Sequence, residues 1–201
     1  AARRSGRNDS AGAILHSVTI VVACGMDASI IIPTYNEEER LTRLLDDLSR
    51  QRGAQPEVIV ADAHSTDRTR DIAAAYDATV VDGGLPAAGR NAGAAAASGS
   101  VLVFLDADVR VPRFFLRNSL REMADREAVV ATCIAKPLSD LTADKLIHTI
   151  ANLFIRLNQD RDPHAPGYCI LVRREVFDAI GGFDETIRVA EDHDFGSRAS
   201  R

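Results

Sequence analysis

Ser29-Ile30-Ile31-Ile32-Pro33-Thr34-Tyr35-Asn36-Glu37-Glu38-Glu39 is the stretch whose reading decides the fold. The run from Ser29 to Ile32 has no polar alternation beyond its first residue, as expected of a strand covered on both faces. Pro33 is expected to end it. A loop from Thr34 to Asn36 leads into an acidic helix start, where carboxylates complement the positive end of the helix dipole. Asn36 or Thr34 is placed to cap that helix. Leu41, Leu44, Leu45 and Leu48 then recur at helical spacing as its buried stripe. A buried strand, a polar loop and an amphipathic helix make up the repeating unit of a parallel sheet.

The pattern continues outward. Val58 to Ala61 predicts a second strand, followed by Asp62, and Ser65-Thr66-Asp67 opens a helix running to about Tyr76. Thr79 to Val81 is a short third strand. Gly89 to Ser98 is Ala-rich and reads as a helix closed by Gly99. Val101-Leu102-Val103-Phe104-Leu105 is the most apolar strand, and Asp106-Ala107-Asp108 follows it. Pro112 opens a helix to about Ala124, and Ala128 to Ala135 reads as a strand. Leu141 to Asn158 is a long helix with the stripe Leu146, Ile150, Leu153 and Leu157, widened by Ile147 and Phe154. Its polar face is not rich in Lys or Arg, so the stripe is expected to face the core or another subunit rather than a membrane surface. A polar loop from Asp160 to Gly167 precedes a strand at Ile170 to Arg173. A short helix from Glu175 to Ile180 is then ended by Gly181-Gly182. Alternating strands and helices imply an α/β domain with a mostly parallel sheet, helices on both faces, and ligands beyond the carboxyl ends of the strands.

A chain of 201 residues is one ordinary domain. Its net charge of −5 argues against a nucleic-acid partner. Cys24, Cys133 and Cys169 show no CxxC or Cys/His spacing and read as reduced thiols. No apolar run reaches the length of a transmembrane helix. Residues 1–25 stand apart: a polar, basic start, then a short apolar stretch from Ala13 to Cys24. A signal peptide with a lipoprotein-like box at Ile20 to Cys24, a first strand, and a leader upstream of a true start at Met26 are the three readings. The third is preferred. It makes residues 1–25 a disordered leader and 26–201 the domain, truncated at its carboxyl end.

Polar residues at the carboxyl ends of apolar strands are where chemistry is expected. Asp106 and Asp108 place two carboxylates at a strand tip, suited to a hard divalent cation shared with a diphosphate; the plain alternative is a solvated turn. Asp62 can accept a hydrogen bond from a base N–H, or serve as a helix cap or a loop acid. Asp67 reads as a helix-start charge and His64 as an exposed loop histidine. Arg90, in Gly89-Arg90-Asn91-Ala92-Gly93, is read at the start of a helix, where a fork of donors and free N–H groups suit phosphate. The alternative is a surface Arg on a loosened turn. Glu191-Asp192-His193-Asp194 offers a general base or simply a solvated acidic face. No nucleophile-elbow sequence supports a hydrolase triad.

Taken in order, these segments resemble the family 2 glycosyltransferases with the GT-A fold. The resemblance rests on Ile30 to Glu38, Val60 to Asp67, Gly89 to Gly93, Phe104 to Asp108, Gly181 to Glu185 and Glu191 to Phe195, and spans about residues 29–198. It implies transfer of a sugar from a UDP- or GDP-sugar to a saccharide or lipid-phosphate acceptor, with inversion. Pro33, Thr34, Tyr35 and Glu37 would line the nucleoside pocket, and Asp62 would contact the base. Arg90 would lie near the sugar-phosphate. Asp106, Ala107 and Asp108 would hold the diphosphate, with Asp106 and Asp108 binding Mg2+ or Mn2+. Asp192 would be the general base, while Gly182, Glu191 and Asp194 belong to the acceptor side. The implied setting is cytoplasmic, at the inner face of the membrane, with room for peripheral membrane association or a homo-oligomer. Ala63 and His64 depart from the Asp-Gly common in the family. Two alternatives stay open: a haloacid-dehalogenase-type phosphatase with Asp106 as nucleophile, and a non-catalytic nucleotide-sugar-binding domain. A dehydrogenase is disfavoured, because no GxGxxG follows the first strand.

Overall fold

The computed structural model describes residues 27–138, 141–158 and 166–200. The expectations for residues 1–25 and Met26, and most of the Asp160 to Gly167 loop, lie outside these. Six strands form one sheet: β1 (Ala28–Thr34), β2 (Glu57–Asp62), β3 (Thr79–Asp82), β4 (Val101–Leu105), β5 (Val130–Thr132) and β6 (Cys169–Arg173). Their order is β3-β2-β1-β4-β6-β5. The first four are parallel, and β6 runs antiparallel to both β4 and β5. The expected mostly parallel, helix-covered sheet is therefore present, with an antiparallel strand at one side.

Among the described residues the helices are α1 (Glu38–Ser49), α2 (Thr69–Ala75), α3 (Pro86–Ala96), α4 (Phe115–Asp125), α5 (Thr142–Asn158), α6 (Arg174–Ala179) and α7 (Glu191–Ala199). Strand side chains alternate between two cores. Ile30, Ile32, Val101, Val103 and Leu105 face the Leu stripe of α1 together with Leu116, Leu120 and Met123 of α4. Ile31, Leu102, Phe104, Ile170 and Val172 face Ala87 and Ala94 of α3, Phe177 of α6, and Phe195 and Ala199 of α7. Each of the large buried apolar side chains contributes roughly 1.5–3 kcal/mol. The chain leaves β1 toward β2 but reaches β4 on the other side of β1, so the strand order reverses between β1 and β4. A crevice opens beyond the carboxyl ends of such a pair.

Several boundaries differ from the sequence reading, each for a local reason. β1 runs through Pro33 to Thr34, because β4 pairs with β1 only as far as Ile31 and makes no demand on the N–H that proline lacks. Neither Asn36 nor Thr34 caps α1. Its first N–H groups are satisfied across the fold instead: the Glu37 N–H donates to Thr69 Oγ1 at 2.9 Å and the Glu38 N–H to Asp67 Oδ2 at 3.1 Å. α2 starts at Thr69, with Asp67 Oδ1 accepting from the Thr69 N–H at 3.0 Å. α4 begins at Phe115, not Pro112, and β5 is three residues long. α3 begins at Pro86, whose fixed φ suits the first helical position, so Arg90 sits in the second turn and not at a helix N-terminus.

α3 lies close on the sheet because of Gly93: a Cβ there would meet Ile31 Cγ2 at 2.3 Å. The α5 stripe is not core-facing in this chain. Leu146, Ile150, Leu153 and Leu157 are 54–71% exposed. Asn152 Nδ2 ties the helix to the Ala135 carbonyl at 2.8 Å. Among the described residues, no helix is long and apolar enough to cross a membrane.

Candidate active site

The sheet brings the first three polar segments to one edge. Thr34 ends β1, Asp62 ends β2, and Asp106 directly follows β4. Asp62 is 0% exposed. Its Oδ1 accepts from Ser65 Oγ at 2.5 Å and Thr34 Oγ1 at 3.2 Å, and its Oδ2 from the Ser65 N–H at 3.0 Å and Arg70 Nη1 at 3.3 Å. The carboxylate expected to contact the base is thus held by Thr34, Ser65 and Arg70, and none of its surface is exposed. Its neighbours are more open. Tyr35 is 61% exposed. His64 is exposed as expected and takes the left-handed region at φ +60, a backbone conformation that favours glycine. Glu37 is half-buried and pairs with Arg40 at 3.0 Å, while Pro33 is half-buried on β1. Asp82, at the tip of β3, pairs with Arg70 Nη1 at 2.9 Å.

The acidic pair at β4 lies where expected. Ala107 is buried, Asp108 is exposed, and the Asp106 side chain is 39% exposed. Burial pushes the Asp106 carboxyl above its ordinary range, the Arg90 cation pulls it down, and the Asp108 and Asp192 charges push it up again. Arg90 is 3% exposed. Its Nη2 donates to Asp106 Oδ1 at 3.1 Å and to the Gly167 carbonyl at 3.4 Å, and its Nη1 to Glu191 Oε1 at 2.7 Å. The guanidinium also lies 5.4 Å from the centroid of the Phe183 ring. Arg90 is therefore neither a helix-terminal phosphate ligand nor a surface residue. It is a buried cation joining the strand tip to α7.

The fourth segment begins α7. The side chain of Glu191 is 13% exposed. Asp192 Oδ2 accepts from the Gly167 N–H at 2.7 Å and Oδ1 from the His193 N–H at 2.9 Å. Each oxygen keeps a lone pair for a further proton. Asp194 is tied to Arg198 one turn on, at 2.7 Å, which gives it a structural partner within the helix. Ala190, just before α7, has φ +64. Gly182 is buried at φ +70 in the preceding loop.

A divalent cation fits the donor set at β4. Two carboxylates at one tip, with Asp192 as a third negative neighbour, gain from a cation that offsets their repulsion. Mg2+ characteristically takes one or two carboxylates and fills its shell with phosphate oxygens and water. Among the described residues no group of three His, Cys, Asp or Glu side chains could hold a metal alone.

Two contributors, Asn91 and Gly167, have no role in the sequence reading. Asn91 stands inside the Gly89 to Gly93 segment, but its partners lie far along the chain. Gly167 carries no local signal. Of the three cysteines, Cys133 and Cys169 are free thiols, half-buried and buried. The Cys169 thiol is pushed well above its ordinary range by its contact with Cys133 and by burial.

The model for the family described as Glycosyl transferase family 2 matches residues 29–181. The chain is 31% identical over 193 residues to a Bacillus subtilis (strain 168) protein described as uncharacterized glycosyltransferase EpsJ, covering 86% of this chain and 56% of that protein. It is 34% identical over 185 residues to the PGL/p-HBAD biosynthesis glycosyltransferase of Mycobacterium bovis (strain BCG / Pasteur 1173P2), covering 85% and 68%. Mannosyltransferase PcManGT from Pyrobaculum calidifontis, solved with GDP-Man and Mn2+, superimposes with a TM-score of 0.68 at 25% identity, over 85% of this chain and 50% of that one. TarS 1–349 of S. aureus, solved with UDP-GlcNAc, gives a TM-score of 0.66 at 24% identity over 87% and 53%, a likeness of fold alone. The chain thus spans little more than half the length of the Bacillus relative.

Proposed function

This chain belongs to the glycosyl transferase family 2, and on that premise we propose that it transfers a sugar from a UDP- or GDP-sugar to a saccharide or lipid-phosphate acceptor. The observation that carries the reading is the meeting of two carboxylate sets around one guanidinium: Asp106 at 3.1 Å and Glu191 at 2.7 Å from Arg90. In this reading Asp106 belongs to the donor side and Glu191 to the acceptor side of that cation. The mannosyltransferase solved with GDP-Man and Mn2+ supports a nucleotide-sugar donor and a divalent ion.

In this reading Pro33, Thr34, Tyr35 and Glu37 line the nucleoside pocket, and Asp62 keeps its rim rigid. Asp106 and Asp108 would hold Mg2+ or Mn2+, and a cation bound there would offset charge developing on the leaving diphosphate. Asp192 takes the proton of an acceptor hydroxyl as that oxygen bonds to the anomeric carbon. The bond from that carbon to the diphosphate breaks on the opposite face, and the nucleoside diphosphate leaves with its electron pair. The configuration inverts. A lipid-phosphate acceptor is already ionised and needs no base. Glu191 and the Gly182 loop border the acceptor. A setting at the inner face of the cell membrane, or a homo-oligomer, belongs to the same reading and would use the exposed stripe of α5. The phosphatase reading has no comparable support, since Asp106 is held by a buried cation and the family match covers residues 29–181.

A thermal-shift panel of UDP- and GDP-sugars with Mn2+ tests the proposal, because a ligand of the native state raises its apparent stability. A rise with one base and no rise without Mn2+ is the expected result. No rise with any nucleotide would overturn it. Asp192→Asn should keep that rise and lose transfer to a neutral hydroxyl acceptor.

A further inference from the structure

Asn91 makes a set of bonds that neither donor nor acceptor chemistry explains. Its Oδ1 accepts from the Phe183 N–H at 2.9 Å, and its Nδ2 donates to the Phe183 carbonyl at 2.8 Å and to Glu185 Oε1 at 2.9 Å. The side chain thus pairs with both backbone groups of Phe183, as a strand neighbour would. Gly182 makes room for this: a Cβ there would stand 2.7 Å from Asn91 Oδ1. The clamp fixes the ring of Phe183, which stacks on Phe195 with centroids 4.2 Å apart and planes at 19°. The same ring meets Phe104 of β4 edge-on at 5.1 Å. Phe195 is fully buried in α7, one turn beyond Glu191 and Asp192. Adjacent in sequence, Arg90 grips Glu191 directly.

We propose that Asn91 is a positioning residue: through Phe183 and Phe195 it sets where α7 stands, and so where the Asp192 carboxylate points. This rests on the proposed role of Asp192 as general base. Arg90 and Asn91 then form one device in the second turn of α3. The first member aligns α7 with the tip of β4, and the second fixes its rotation through the aromatic stack. Neither Asn91 nor Phe183 needs to touch a substrate. A misplacement of about 1 Å at a reacting group can cost on the order of a hundredfold in rate, so a modest tilt of α7 is enough to matter.

The test uses the full chain with Asn91→Ala and the nearly isosteric Asn91→Asp, which keeps an acceptor for the Phe183 N–H but loses both Nδ2 donations. Without ligand, amide exchange across residues 183–200 should speed up about tenfold in both variants and stay unchanged in β1, β2 and β4. Unchanged exchange, or a uniform rise over the whole chain, would overturn the proposal. With Mn2+ and the UDP- or GDP-sugar that binds, nucleoside diphosphate release to water should show kcat about tenfold lower and the donor KM within about twofold of wild type. In an Asp192→Asn background the same substitution should cost less than about twofold, because its effect runs through Asp192. A loss confined to donor KM, a full additive loss in that background, or an Asn91→Asp variant equal to wild type would each sink the idea. Failure of wild type to bind any nucleotide is a failure of the functional reading, and the ligand-free exchange then decides the positioning role by itself.

Discussion

Arg90→Ala is the perturbation whose size the structure fixes most closely. Arg90 is 3% exposed and its guanidinium joins Asp106, Glu191 and the Gly167 carbonyl. Truncation leaves Glu191, with a side chain 13% exposed, without its cation. Breaking a buried pair from one side costs about 3–5 kcal/mol, because the remaining charge stays buried and unpaired. Asp106 lies nearer water, and its share is discounted toward the ~0–1 kcal/mol of an exposed pair. The sum expected is about 3–6 kcal/mol. For a domain of this size each kcal/mol moves Tm by roughly 2–4 °C, so Arg90→Ala should melt about 6–24 °C below wild type. Arg90→Lys keeps the charge but replaces the fork with a single ammonium that cannot serve both carboxylates in the same geometry, and should fall between the two. The assay is thermal and urea denaturation of the ligand-free protein. The competing idea, that Arg90 is a free ligand for donor phosphate, expects an unchanged Tm without ligand and a loss of nucleotide affinity alone. An Arg90→Ala variant melting within about 2 °C of wild type would refute the assignment of Arg90 as a buried structural cation.

Gly93→Ala should destabilise by about 1–3 kcal/mol in urea, since its Cβ would meet Ile31 Cγ2 at 2.3 Å and α3 must lift from the sheet. An unchanged midpoint would show that α3 does not depend on that approach. The Asp47 carboxyl is held below its usual range, first by its hydrogen bond from Arg110. A depressed folded value stabilises above the unfolded carboxyl range, near pH ~4, and is lost as pH falls below it. Asp47→Asn should therefore be less stable than wild type at pH ~7, with the gap closing toward pH ~2; a gap that widened on acidification would contradict this sign. Substituting Ala for Asp108, which is exposed, should leave the ligand-free Tm within about 2 °C of wild type.

The central strands are legible in the sequence because they are covered on both faces. Ile30 to Ile32 and Val101 to Leu105 read as unbroken apolar runs for that reason, and the polar residues after them fall at one edge of the sheet as a parallel arrangement requires. The direction of β6 is not legible, since an apolar run looks the same in either orientation. The capping of α1 escapes a local reading because its N–H groups are satisfied by Asp67 and Thr69, about thirty positions away, rather than by Asn36. The acids of the site can be named one by one, but what joins them cannot. Arg90 lies 16 residues from Asp106 and 101 from Glu191, and no local pattern encodes those two bonds. The α5 stripe marks the opposite limit, because helical periodicity announces an apolar face without saying whether this chain covers it.

The central claim is that Asp106 and Asp108 bind a nucleoside diphosphate through a divalent cation. Calorimetric titration of UDP and GDP into wild type and Asp108→Ala, with and without Mn2+, tests it most directly. Binding of one nucleotide that requires Mn2+ and weakens at least about tenfold in Asp108→Ala is the predicted result, a change of about 1.4 kcal/mol or more. Equal affinity in the variant, or equal affinity without the metal, would contradict it.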